Sequence, residues 1–213
     1  MLEPYYDDGG GRVIYHGDNC EVMGMMPAES VDLVVTSPPY DNLRTYGGHS
    51  WDFEGVAQQL WRVIKPGGVV VWVVADATID GSETGTSFRQ ALRFKEIGFR
   101  LHDTMIYEAA GTGAKGSNLA YWQTFEFMFL FSKGTPKVFT PISNGKKVST
   151  GGNRLSTEGV TKAGNHRDTN KDGRRSNVWR YSVGNASGDE SCGKHPAPFP
   201  EKLARDHILS WSN

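Results

Sequence analysis

The chain of 213 residues contains two cysteines, Cys20 and Cys192, far apart in sequence and in no metal-type pairing. That excludes a disulfide framework and favours two reduced thiols in a cytoplasmic protein. The six histidines fall in no ligand spacing, so no metal site is expected. Long apolar runs are also missing. The longest, Val69 to Ala75, is far too short to span a bilayer, and the start Met-Leu-Glu-Pro-Tyr-Tyr-Asp-Asp is too acidic for a signal peptide. An excess of one charge is lacking too, since 23 Lys and Arg face 24 Asp and Glu. Nucleic acid coating the whole surface is therefore not expected.

The distribution of charge is uneven, however. Between Lys133 and Arg180 there are 11 basic residues and 3 acidic ones, which leaves the rest of the chain acidic. One phosphate-facing segment on an acidic body would give this pattern, as would a solvated loop that is merely rich in lysine.

The chain is organised around Val31-Asp-Leu-Val-Val-Thr-Ser-Pro-Pro-Tyr40. Val31, Leu33, Val34 and Val35 read as a central strand covered on both faces. Pro38 and Pro39 fix their own φ and keep Ser37 and Pro38 extended just past the strand end, where open α/β sheets place ligands. Neither proline has an N–H, so the corner offers a serine hydroxyl, a backbone carbonyl and an aromatic ring within four residues. A flat heterocycle bearing an amino group suits that set: Ser37 Oγ and the Ser37 or Pro38 carbonyl accept from its NH2, and Tyr40 stacks on its face. A proline-stiffened turn is the plain alternative.

In chain order, Met1 to Gly11 reads as a flexible lead-in and Arg12 to His16 as a short strand in the same sheet, with Asp18 at its tip. Asp18 could equally be the N-cap of a helix opening at Asn19. Asp41 to Asp52 suits a closing loop, with Tyr46 and His49 as candidate contacts. The spacing predicts a helix over Phe53 to Ile64, stopped by Lys65-Pro-Gly-Gly, and a buried strand over Val69 to Ala75. Together with Val31 to Val35 these make a parallel, right-handed βαβ crossover. A second amphipathic helix, Ser87 to Ile97, has Phe88, Ala91, Leu92 and Phe94 as its apolar residues and stops at Gly98. Leu101 to Glu108 and Phe125 to Phe131 read as antiparallel strands.

Gly111-Thr-Gly-Ala-Lys-Gly116 matches G-x-G-x-x-G, but no acid follows at the required distance, so it reads as a glycine-rich loop rather than a dinucleotide site. Gly134 to Asn177 loses all periodicity, which suits a recognition segment. There Arg154, Arg174 and Arg175 are the first candidates for DNA contacts. Phe199 to Trp211 closes the chain as a helix with Pro200 in its first turn and Leu203, His207, Ile208 and Trp211 on one face.

Asp32 to Tyr40, preceded by His16-Gly-Asp-Asn-Cys-Glu-Val-Met23 and followed by Trp61-Arg-Val-Ile-Lys-Pro-Gly-Gly-Val69, resembles the amino-methylating DNA methyltransferases, cytosine-N4 or adenine-N6. The likeness extends more weakly to Phe125–Gly134, Ser176–Arg180 and His195–Leu203. It implies a Rossmann-like α/β sheet, here incomplete, with an irregular basic insertion. Residues 1–132 would form the catalytic part, 133–180 a DNA target-recognition segment, and 181–213 a return to the first domain. It also implies S-adenosylmethionine as cofactor, with Asp18, Asn19, Ser37, His195 and Lys202 near it, and double-stranded DNA as partner. Ser37, Pro38, Pro39 and Tyr40 would be catalytic, and serine in first position leans toward cytosine N4, with adenine N6 left open.

In such enzymes an amine whose lone pair is delocalised into the ring is made nucleophilic by hydrogen bonds that favour a pyramidal nitrogen. The base must first leave the duplex. The family's Asp-Pro-Phe-x-Gly-x-Gly block, whose glycine turn holds the methionine half of the cofactor, has no counterpart here. The expectation is a truncated or split chain, or one needing a second polypeptide, that binds S-adenosylmethionine weakly alone. A DNA-binding remnant without catalysis, or a methylase of protein or RNA amines, are the other classes the residues leave open.

Overall fold

The computed structural model describes residues 3–39, 51–110, 118–143, 154–156, 159–161, 173–182 and 200–212. The expectations for Tyr40, the Tyr46 and His49 loop, the Gly111–Gly116 loop, Cys192 and His195 lie outside them. In order, the elements are β1 (Tyr6–Asp7), β2 (Val13–Ile14), α1 (Asn19–Met25), β3 (Val31–Thr36), α2 (Phe53–Val63), β4 (Ile64–Val74), β5 (Thr78–Ile79), β6 (Ser82–Glu83) and α3 (Thr86–Ile97). Then follow β7 (Arg100–Ala110), β8 (Phe125–Ser132), β9 (Arg154–Ser156), β10 (Gly159–Thr161), β11 (Val178–Ser182) and α4 (Glu201–Trp211). No helix among the described residues is long and apolar enough to cross a membrane.

The chain divides into two compact units, Met1–Phe139 with Asn177–Asn213, and Thr140–Ser176. The first holds a five-stranded sheet in the order β11-β7-β8-β4-β3. Strand β4 runs parallel to β3, and β8 is antiparallel to β7, both as expected, while β4 also pairs antiparallel with β8, which was not foreseen. Val69 to Val74 are buried on both faces because helices lie on each side. On one face Val70, Trp72, Val74, Phe129 and Phe131 pack with Val56, Leu60, Ala91 and Phe94 of α2 and α3. On the other, His207 of α4 meets Met128 Sδ at 3.4 Å and stacks on Trp179. Tyr181 OH donates to Asp206 at 2.7 Å, which ties α4 to β11.

Several expectations need correction. Strand β3 is the outer strand of its sheet and its residues are only half-buried, so its apolar run is not covered on both faces. Arg12 to His16, expected as a strand of the same sheet, does not join it: β2 pairs instead with β1 in a separate hairpin, so the lead-in is structured and Asp18 is not at a strand tip of that sheet. The Lys65-Pro-Gly-Gly stop comes one residue late. Ile64 already leaves the helical region at ψ 131°, and the four residues form the irregular start of β4. Phe88, Leu92 and Ile208 point outward, 51%, 59% and 48% exposed. The inward positions of α3 are Ser87, Gln90, Ala91 and Phe94, and Pro200 is the N-cap of α4 rather than its first turn. In the second unit the aperiodic stretch still forms a hairpin, with Arg154 opposite Thr161.

Candidate functional site

The Ser-Pro-Pro corner begins where β3 stops being paired. Thr36 is the last residue of the β3–β4 ladder, opposite Trp72. Ser37 therefore leaves the sheet at the carboxyl end of a parallel strand, the rim where α/β folds bind ligands. Pro38 is buried, while Ser37 and Pro39 are half-buried. The corner is seated against the body with the serine still reachable.

Its level is set by Trp72, which is fully buried. The indole Nε1 donates to Gln90 Oε1 at 2.9 Å, and the ring packs on Phe94 and Trp51 at centroid distances of 5.0 and 5.9 Å. Trp51 and Asp52, read from sequence as the end of a loop, belong to the folded body. Asp52 caps α2 by accepting from Gly55 N at 3.0 Å.

Asp76 is a rim residue that the sequence reading missed. It follows β4 by two positions, is 5% exposed, and accepts from Ser87 N at 2.8 Å, from Ser87 Oγ, and from Thr84 Oγ1 at 3.3 Å. Helix α3 has no side-chain cap of its own at Gly85. Asp76 satisfies one of its orphan N–H groups from a distance and fixes the start of α3 beside the rim. The signal for it was available: an acid closing an otherwise apolar strand must find donors.

Asp18 is the N-cap of α1, accepting from Cys20 N and Glu21 N at 2.9 and 3.1 Å, both through Oδ1. The N-cap half of the dual reading is thus observed. Cys20 is a free thiol. Burial, and then Asp18 and Asp52 nearby, push its pKa up, which favours the thiol over the thiolate. Asn19 is the first residue of α1, and Lys202 lies on the exposed side of α4. In the second unit Arg174 bridges Ser143, and Arg175 N donates to Ile142 O at 2.8 Å.

A groove of about 640 Å³ runs between α2 and α3, lined by Trp51, Phe53, Arg89 and Arg93 among others. A second cavity of about 310 Å³, lined by Asp32, Lys65, Lys137 and Trp211, lies at the opposite end of β3 from the corner. Ser37 lines neither.

Residues 31–213 match the model of the N6/N4 methyltransferase family, described as DNA methylase. The chain belongs to this family. The match begins at the first residue of β3 and so takes in the corner, β4 and its rim, and α4. The orphan methyltransferase M.BamHII of Bacillus amyloliquefaciens is 52% identical over 193 residues, covering 86% of this chain and 72% of that protein. Among solved structures, the cytosine-N4-specific PvuII DNA methyltransferase superposes with a TM-score of 0.62 at 20% identity, over 94% of this chain and 70% of that one. The complex of M1.HpyAVI with SAM does so at 0.55 and 18% identity, over 93% and 76%. These likenesses show the Rossmann-like fold of AdoMet-dependent methylases, and for a DNA methylase the rim bearing Ser37 is the face to consider.

Proposed function

We propose that this DNA methylase transfers a methyl group from S-adenosylmethionine to the exocyclic amine of a base drawn out of duplex DNA, cytosine N4 ahead of adenine N6. The observation that carries the reading is the seat of Ser37: half-exposed on the ligand rim, one residue past a ladder ending at a buried tryptophan, with buried Pro38 behind it. Such a corner holds its acceptors without reorganising, and preorganised acceptors act most strongly on the charge that develops in the transition state. Ser37 Oγ and the adjoining carbonyl accept from the amine, and Tyr40 covers the ring. Serine in the first position, together with the cytosine-N4 specificity of the PvuII enzyme, favours cytosine.

S-adenosylmethionine, when bound, supplies an electrophilic methyl group. Towards its adenosine half the chain offers Asp18, whose Oδ2 is not used by the two capping bonds, while Asn19, Lys202 and His195 stand as further candidates. The sequence has no Asp-Pro-Phe-x-Gly-x-Gly block for the methionine half. A second polypeptide carrying such a block would complete the site. The basic segment, with Arg154, Arg174 and Arg175, holds the duplex.

The test is product analysis. The chain is incubated with duplex DNA and S-adenosylmethionine bearing a labelled methyl group, and the DNA is digested to nucleosides. Label in N4-methylcytosine supports the reading, label in N6-methyladenine corrects the base, and label confined to protein or RNA refutes it.

A further inference from the structure

The rim that bears Ser37 continues sideways. Thr36 pairs with Trp72, Trp72 with Phe129, and two residues nearer the rim Val74 pairs with Phe127. The beginning of β8 therefore opens on the same rim, two strands from the corner, roughly 10 Å away at ordinary strand spacing. The chain arriving there is unusually apolar for its exposure. Leu119 and Tyr121 are each 99% exposed, Trp122 58% and Phe125 39%. Phe88, at the start of α3, extends the patch, with its ring 5.2 Å from that of Phe127.

Contiguous exposed apolar side chains mark interaction sites, and charge indicates the occupant here. From Ala109 to Phe125 there is no Asp or Glu and a single lysine, whereas the chain outside Lys133 to Arg180 is acidic overall. The exposed stretch Leu119 to Phe125 carries no charge of its own, and the nearest acids, Glu108 opposite Phe125 and Glu126 beside it, sit at its β8 end. Its rings can stack on bases, and its apolar side chains can enter an opened base step.

We propose that Leu119, Tyr121 and Trp122 form a wedge that enters the DNA stack beside the extruded base and holds the gap open. This rests on the reading of the chain as a DNA methylase. Unstacking a base has a cost that a duplex already missing a base does not incur.

The experiment measures affinity of the full chain, by fluorescence anisotropy, for an intact duplex and for the same duplex carrying one abasic site. The wild-type chain is expected to prefer the abasic duplex by about tenfold. Tyr121→Ala with Trp122→Ala is expected to bring that preference close to unity, by weakening binding to the abasic duplex more than to the intact one. Tyr121→Phe with Trp122→Phe is expected to retain it, and matching circular dichroism spectra confirm that the variants are folded.

A wild-type chain without the preference, or a preference that survives the double alanine change, overturns the wedge and leaves the methylase reading standing. A chain that binds no DNA overturns both. Loss of a dimer on the alanine changes, seen by sedimentation, assigns the patch to a second copy of the chain and also overturns the wedge.

Discussion

Thr36 and Trp72 pair across parallel strands β3 and β4, and Trp72 is the residue against which both ends of the stretch after the motif are set. Thr36 meets its backbone just before the Ser-Pro-Pro corner, and Trp51 meets its ring at 5.9 Å just before α2. A fully buried indole tied to Gln90 thus fixes both Thr36 and Trp51.

Asp76 is expected to be a stability residue at the rim. Asp76→Ala leaves the Ser87 N–H and hydroxyl unsatisfied in a buried site, and unpaired buried polar groups cost about 1–3 kcal/mol each. Urea denaturation should show a loss of that size with an unchanged slope. Asp76→Asn, which keeps one acceptor, should lose less.

Gly68 permits the irregular start of β4. A Cβ there would lie 2.8 Å from Asp32 O and 3.0 Å from Lys65 O, both backbone atoms that cannot give way cheaply. The neighbouring register shift between Val31 and Leu33 falls at the same place. Gly68→Ala should therefore destabilise by about 1–3 kcal/mol through overpacking, measured as a lowered thermal midpoint. Gly24→Ala, with open space around it, is the control.

Glu54 and Arg93 link α2 to α3 at 2.6 Å. Hydrogen bonds from Arg93 and then Gln58 hold the Glu54 carboxyl down at about 2. Because the folded pKa is depressed, the contribution is present above the ordinary glutamate range near 4.5 and is lost as pH falls toward 2. The stability difference between wild type and Glu54→Gln should be constant above about pH 5 and should vanish on acidification. It should also shrink with added salt, because the pair is exposed. A difference that grows toward low pH would contradict the assignment.

Cofactor affinity separates what the chain holds from what it lacks. Calorimetric titration of the purified chain with S-adenosylmethionine should give binding too weak to saturate at micromolar concentrations. Tight binding would mean that the described donors, Asp18 above all, suffice without a glycine turn.

Much of this architecture was legible because its elements are locally decisive. The all-apolar run Val69–Val74 can only be a covered strand, and the amphipathic spacing around Val56 and Leu60 can only be a helix beside it. What failed depended on neighbours that local pattern does not encode. Val31 to Val35 looks central by composition, yet whether a second strand lies beside it is a tertiary fact. Phe88, Leu92 and Ile208 count toward apolar helix faces by hydrophobicity yet are exposed, whereas Gln90 is buried with its side chain accepting from Trp72. Asp76 escaped notice because its donors, Thr84 and Ser87, lie 8 and 11 residues further along the chain.

The most direct test compares wild type with Ser37→Ala for transfer of labelled methyl groups from millimolar S-adenosylmethionine to duplex DNA, with DNA affinity measured alongside. The expected result is transfer reduced by roughly 10²–10³-fold at unchanged DNA affinity, the signature of an acceptor that acts mainly in the transition state. Equal transfer by the two proteins would contradict the role given to the Ser-Pro-Pro corner.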